Sequence, residues 1–200
     1  MAAGAHAAAF TNGSFEGPGG APIKQELSEG DTFLTGWVSH GAGNYYESDG
    51  QDGITAADGS HWVGFGHNGA TGSTLSQTFA TFVGAFYTLS YDFRLQQGDE
   101  AGSGFQLSAS TGDSVFSGDA SLATWVSGPV LTFTGTGGDV TLTIKDVTTS
   151  GGISNLALDN LRLSVTGGPD AVPEPTAWAM MILGFGGVGG LMRRRRGLAA

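Results

Sequence analysis

Residues 85 to 95 read AFYTLSYDFRL, and the spacing within that run decides the fold. Tyr87, Leu89, Tyr91, Phe93 and Leu95 take every second position, with Thr88, Ser90, Asp92 and Arg94 between them. Side chains of a strand point alternately to its two faces, so the run predicts a strand with one face in a core and the other among polar surroundings. The same period recurs downstream. Residues 139–147 (DVTLTIKDV) set Val140, Leu142 and Ile144 against Thr141, Thr143 and Lys145, and residues 159–165 bring Leu161, Leu163 and Val165 together. Weaker strands are expected at 61–65, 74–80, 105–109 and 130–134. No stretch of the body carries a capped 3.6-residue stripe. Many short, half-buried strands with no helices between them predict an all-β, two-sheet antiparallel sandwich over residues 10–166.

Composition agrees. Thirty-six glycines among 200 residues disfavour long helices, and 40% hydrophobic residues still supply a core. Charge is divided unevenly. Before residue 173 four basic residues stand against seventeen acids, a net of −13, while the remaining tail carries +3. An acidic body excludes nucleic acid as a partner, since phosphate binding requires a basic face. The absence of cysteine excludes disulfides, thiolate metal sites and cysteine nucleophiles.

The C-terminus reads VPEPTAWAMMILGFGGVGGLMRRRRG over residues 172–197. Pro173, Glu174 and Pro175 come first, then an uncharged apolar run at 176–192, then Arg193, Arg194, Arg195 and Arg196. A run of this length, at the short end of what crosses a bilayer as a helix, predicts one C-terminal transmembrane helix. Trp178 suits the headgroup zone, and the arginines hold their end in the cytoplasm. Two prolines keep the approach to the membrane extended. A plain membrane anchor is the alternative. This tail resembles the PEP-CTERM sorting signal in its PEPxxWA variant, through Pro173, Glu174, Pro175, Trp178, Ala179 and the arginine block. The resemblance implies recognition by an exosortase at the inner membrane, in Gram-negative producers of exopolysaccharide and biofilm. Residues 1–9 are read as the remnant of an export signal or a disordered lead-in, residues 167–172 as a linker, and residues 173–200 as the sorting signal.

The body opens on Asn12-Gly13-Ser14-Phe15-Glu16, continues through Gly36-Trp37 and closes on Leu158-Asp159-Asn160-Leu161. This pattern resembles the galactose-binding-like jelly roll of carbohydrate-binding modules. The resemblance implies a jelly-roll sandwich, binding of polysaccharide, and a structural calcium where the first and last strands meet, at Glu16 and Asp159. Carboxylate oxygens suit that ion. The alternative is that Glu16 and Asp159 cap strand ends through backbone hydrogen bonds.

Other candidate chemistry is weaker. Gly64-Phe65-Gly66-His67-Asn68-Gly69 has the G-x-G-x-x-G spacing, but no helix start follows it to receive a pyrophosphate. His40, His61 and His67 have no zinc-site spacing, and they read as surface or turn residues. Glu47, Asp49, Asp52 and Asp58 read as a solvated acidic loop without an EF-hand rhythm. Asp99 and Glu100 are adjacent on a loop, where two carboxylates do not face each other across a cleft. Among the aromatics, Trp37, Trp62, Trp125, Tyr45 and Tyr46 are candidates for stacking on sugar rings, with core packing as the alternative. Tyr45 and Tyr46 are adjacent, so they point to opposite faces of a strand.

The expectation is therefore a non-enzymatic, exported surface or matrix protein that binds polysaccharide. A purely structural or adhesive matrix protein is the alternative, and a glycoside hydrolase the remote one. Processing is testable directly. Intact-mass analysis of the protein released by an exosortase-bearing host is expected to show loss of residues 176–192. Full-length protein in the medium would contradict the sorting reading.

Overall fold

The computed structural model describes residues 9–18, 24–97, 102–117, 124–149 and 155–167. The sorting signal, its expected span at 176–192 and nearly all of the lead-in lie outside these residues. Among the described residues no helix is long and apolar enough to cross a membrane. The chain divides into a unit Met1–Thr166 and a second unit Gly167–Ala200.

Twelve strands make up the described part. They are β1 (Lys24–Leu27), β2 (Val38–His40), β3 (Asn44–Ser48), β4 (His61–Phe65), β5 (Thr74–Ala80), β6 (Phe86–Gln97), β7 (Phe105–Ala109), β8 (Ser114–Phe116), β9 (Val126–Ser127), β10 (Leu131–Thr134), β11 (Asp139–Asp146) and β12 (Asn155–Thr166). One sheet has seven strands in the order β1-β3-β4-β12-β6-β10, with β9 also on β6; the other has five, β2-β5-β11-β7-β8. The pairings are antiparallel throughout. The architecture is the expected two-sheet sandwich, with the chain passing repeatedly from one sheet to the other.

The main core lies between the sheets. β6 supplies Tyr87, Leu89, Tyr91, Phe93 and Leu95 to it, and β11 supplies Val140, Leu142 and Ile144, as their alternation requires. Short strands such as β1, β2, β8 and β9 carry too few residues for a period to show. β3 was hidden for another reason: its buried positions include Asn44 and Glu47, which a hydrophobic pattern takes for loop.

β12 departs most from expectation. It begins at Asn155 rather than at 159, and its alternation changes phase. Leu156 and Leu158 enter the core, and so does Leu161. The register explains this. Asp159 pairs with Asp92 and Arg162 with Ser90, so three steps along β12 match two along β6. This is a β-bulge. Its extra residue includes Asn160 in the left-handed region, at φ 58°, a conformation that Asn tolerates better than most residues. The closing signature Leu158-Asp159-Asn160-Leu161 is thus the bulge itself. Val165, expected in the core, is 48% exposed, because it pairs with Tyr87 at the end of the sheet.

The opening signature packs on the bulge. Leu161 N–H donates to the Gly13 carbonyl at 2.9 Å, and a Cβ on Gly13 would lie 2.1 Å from the Leu161 oxygen. Trp37 closes this corner. Its ring lies edge-on to Phe10 and tilted on Phe15, and its Nε1–H donates to the Asn12 carbonyl at 3.0 Å. Trp37→Ala removes a fully buried ring and is expected to cost about 3–5 kcal/mol in urea unfolding. An unchanged midpoint would contradict this packing.

Candidate functional site

Two carboxylates organise one rim of the sandwich. Glu16 Oε1 accepts from the backbone N–H groups of Ser60 at 2.7 Å and His61 at 2.9 Å. Its Oε2 accepts from the Ser60 hydroxyl at 3.0 Å and lies 3.1 Å from His61 Nδ1. The fit is close. Gly59 sits at φ +73°, and a Cβ there would come within 2.3 Å of Glu16 Oε1. Burial raises the Glu16 pKa, but these donors outweigh it and hold the group below its ordinary value.

Asp159 is fully buried. Its Oδ2 accepts from the N–H groups of Ala57 and Asp58, both at 2.8 Å, and its Oδ1 from Asn160 N–H at 2.6 Å. Burial dominates here and pushes its pKa up to about 7, against the pull of those three donors. Glu16 and Asp159 therefore grip the same loop, 57–61, from two sides. As placed, both are directed at backbone N–H groups. A calcium ion would require those oxygens, and several further oxygen ligands, to turn to itself. Among the described residues no three His, Asp or Glu side chains converge.

The loop folds over the outer face of the seven-stranded sheet. There Ile54, Trp62 and Ala157 form a second small core, against which Ala56 and Trp125 pack. Beside it lies a buried polar network centred on Glu47. Glu47 Oε1 is 3.1 Å from Lys24 Nζ and 2.9 Å from His67 Nε2. Oε2 accepts from Trp62 Nε1 at 3.0 Å and from Gln96 Nε2. His67 Nδ1 faces Lys24 Nζ at 3.0 Å and Asn155 Nδ2 at 3.2 Å. Lys24 Nζ also lies 3.4 Å from His67 Nε2, so it faces both ring nitrogens. Burial raises the Glu47 pKa, but hydrogen bonds from His67 and Gln96 and the charges nearby hold it below the ordinary value. Gly64 makes the space: a Cβ there would stand 3.0 Å from both Gln96 Oε1 and His67 Nε2.

Register lines these groups up. One row across the sheet reads Glu26, Tyr45, Gly64, Ala157, Arg94. At one end Lys24 Nζ lies 4.6 Å from the Tyr45 ring centroid, and His67 meets that ring edge-on at 4.4 Å. At the other, Arg94 lies 5.9 Å from the Trp125 ring. Three strand steps separate Tyr45 from Arg94, about 14 Å. Two half-buried aromatic rings, each beside a cation, thus stand at the ends of a polar strip. Such a strip sets partly exposed rings beside hydrogen-bond donors.

The structure sorts the sequence candidates. Trp37 is in the main core, Trp62 is buried in the second core, and Tyr46 is buried and stacked on His61 at 4.8 Å. None presents a free ring face. Tyr45 points the opposite way and remains half-exposed. His61 and His67, expected at the surface, are buried, each against a glutamate. Glu47, expected in a solvated loop, is 0% exposed. Lys24, His67, Gln96 and Asn155 were missed. One signal was available, since residues 45 and 47 of a strand share a face. Pro173, Glu174, Pro175, Trp178, Ala179 and the four arginines lie outside the described residues.

The profile of a family described as "Protein of unknown function (DUF642)" matches residues 8–161. The chain belongs to that family. Its C-terminal residues 171–196 match the PEP-CTERM protein-sorting motif, which marks a chain for export and sorting to the cell surface. No curated protein matches the sequence. Among solved structures, that of TmCBM61 in complex with beta-1,4-galactotriose is similar at 16% identity, with a TM-score of 0.55, over 78% of this chain and 97% of that one. The CBM22-1 xylan-binding domain of Paenibacillus barcinonensis Xyn10C is 14% identical, with a TM-score of 0.46, over 72% and 92%. The K2 cleaved adhesin domain of Lys-gingipain is 18% identical, with a TM-score of 0.47, over 68% and 92%. The first likeness shows the fold alone, a two-sheet antiparallel β-sandwich shared with TmCBM61.

Asp159 gives this family member a pH signature. Its folded-state pKa is raised from 3.8 to about 7, so its contribution to stability is full below about 3.8 and is lost as pH rises through 7. Glu16 and Glu47 are shifted downward and act below pH 4.5, with the opposite sign. Between pH 5 and 8, Tm is expected to fall with rising pH in the wild type and to fall less in Asp159→Asn. Parallel curves would contradict the assignment.

Proposed function

We propose that this protein is exported, processed by an exosortase at its C-terminal signal, and displayed at the cell surface or in the extracellular matrix, where the outer face of the seven-stranded sheet binds polysaccharide without catalysis. The sorting motif at 171–196 supports the first part. The observation that carries the second is the strip from Tyr45 to Arg94 and Trp125, with its two ring–cation pairs over the buried Glu47 network. A module of similar fold holds beta-1,4-galactotriose, which supports a neutral glycan as the ligand class. Non-catalytic binding is supported by the state of three acids: the partly exposed Glu16 and the buried Glu47 and Asp159 are each engaged by donors rather than facing one another across a cleft.

Affinity electrophoresis of the full chain in mild detergent, through gels containing β-1,4-galactan or the host's exopolysaccharide, tests this. Wild-type protein is expected to be retarded. Tyr45→Ala and Trp125→Ala are each expected to weaken binding about three- to tenfold, the scale of one aromatic contact. Unretarded wild-type protein would leave a structural matrix role in its place.

Calcium is a separate proposal, resting on two hard carboxylates at one corner. A shared ion would stabilise the fold by about 2.7 kcal/mol at a hundredfold excess over its dissociation constant. A rise in Tm with calcium, reversed by chelator and absent in Asp159→Asn, is the expected outcome. Identical melts would leave loop capping as the whole role of Glu16 and Asp159.

A further inference from the structure

A second site lies at the opposite end of β6. Phe86 is its first residue and faces outward, in line with Thr88, Ser90 and Asp92. An aromatic ring at such a position is anomalous: Phe86 is 62% exposed, while every other aromatic of the strand is in the core. Its neighbours on that face carry hydroxyls. Thr134 of β10 and Thr166 of β12 pair directly with Phe86, and one rung further Thr132 and Ser164 pair with Thr88. β10 is the edge strand of the sheet. Beside it opens a groove of about 420 Å³, lined by Phe86, Thr132, Thr134 and Thr136 and, from the β7–β8 turn, by Thr111 and Asp113. The Thr111 hydroxyl donates to Asp113 Oδ2 at 2.8 Å.

We infer that this groove is a second glycan subsite, with Phe86 as the stacking platform and the threonine hydroxyls and Asp113 as partners for sugar hydroxyls. The chemistry is that of a carbohydrate site: one exposed ring face among short side chains that both donate and accept. Its volume falls within the range of small-molecule sites. Among the described residues Asp113 is the one charged lining group, so the groove selects neutral sugars and repels uronates. Phe86 and Arg94 share the outer face of β6, eight residues apart, which is about 26 Å along the strand. A polymer long enough to reach both ends would engage two contacts at once, and the gain is one of avidity. The inference rests on the polysaccharide reading above but concerns residues that the Tyr45 strip does not use.

The test is affinity electrophoresis of the full chain in mild detergent against β-1,4-galactan and against polygalacturonate, with Phe86→Ala, Thr134→Val, Tyr45→Ala and the Phe86→Ala/Tyr45→Ala double variant. All three sites are at least partly exposed, and unchanged thermal melts establish that the variants fold. On galactan, Phe86→Ala and Thr134→Val are each expected to weaken retardation at least threefold, the double variant to lose more than either single one, and polygalacturonate to retard none. Loss of retardation in Tyr45→Ala with Phe86→Ala unchanged overturns the groove and keeps the polysaccharide function. An unretarded wild type overturns both. Binding of Phe86-intact protein to neutral phospholipid vesicles, lost in Phe86→Ala while galactan binding is unaffected, overturns the groove in favour of a membrane-contact patch.

Discussion

Asp159 carries a carboxylate with no solvent contact, in a strand that a simple alternation would not bend. Burying such a group is costly, and the three backbone N–H groups that Asp159 draws in offset part of that cost. Two come from the loop at 57–58 and one from the bulge it initiates. Much of the molecule follows. The bulge resets the phase of β12, so that Leu161 enters the core against Gly13 and the two ends of the domain meet. Asn160 then reaches Asp92 through Nδ2, and Asp92 receives the Ser127 hydroxyl that accompanies β9. The captured loop leads from Ile54 and Ala56 into the second core over Trp62.

That second core explains how a sheet face can be covered and still present a polar strip. The apolar side chains of that core stand beside the network around Glu47. A buried carboxylate with one partner removed is strongly destabilising; here Lys24, His67, Trp62 and Gln96 all converge on it. The arrangement fixes the positions of Lys24 and His67 and, through them, the Tyr45 ring. It also places scarce charge. The body has four basic residues, and two of them, Lys24 and Arg94, stand beside the two rings of the strip. In an otherwise acidic domain these cations stack on rings and offer donors, a combination suited to uncharged, hydroxyl-rich ligands.

The sandwich was legible in the sequence because β6 and β11 obey a strict period and because glycine punctuates the rest. The ends of β12 were not, since a bulge breaks the period at the residues that define it; Leu156 and Leu158 fall in one phase and Leu161 in the other. The corner was half legible. Glu16 and Asp159 do meet the same loop, yet which groups they hold depends on backbone N–H positions that no spacing reveals. The strip was the least legible. Its central residue is a buried glutamate among glycine and acids, where composition argues for solvent, and its partners come from β1, β4, β6 and β12, far apart along the chain. Its two rings were in view, Tyr45 through its position next to Tyr46 on a strand and Trp125 as one of the few tryptophans.

The central claim is that ligand contact lies on the outer face of the seven-stranded sheet and in the groove at its β10 edge. Backbone amide chemical-shift mapping of the full chain, titrated with galacto-oligosaccharide, measures this directly. The account predicts shifts at Lys24, Tyr45, Gly64, His67 and Arg94, and at Phe86, Thr134 and Asp113, with β2, β5 and β11 of the five-stranded sheet silent. Shifts centred on Thr78, Thr141 and Thr143 of that second sheet, or none at saturating ligand, would contradict it.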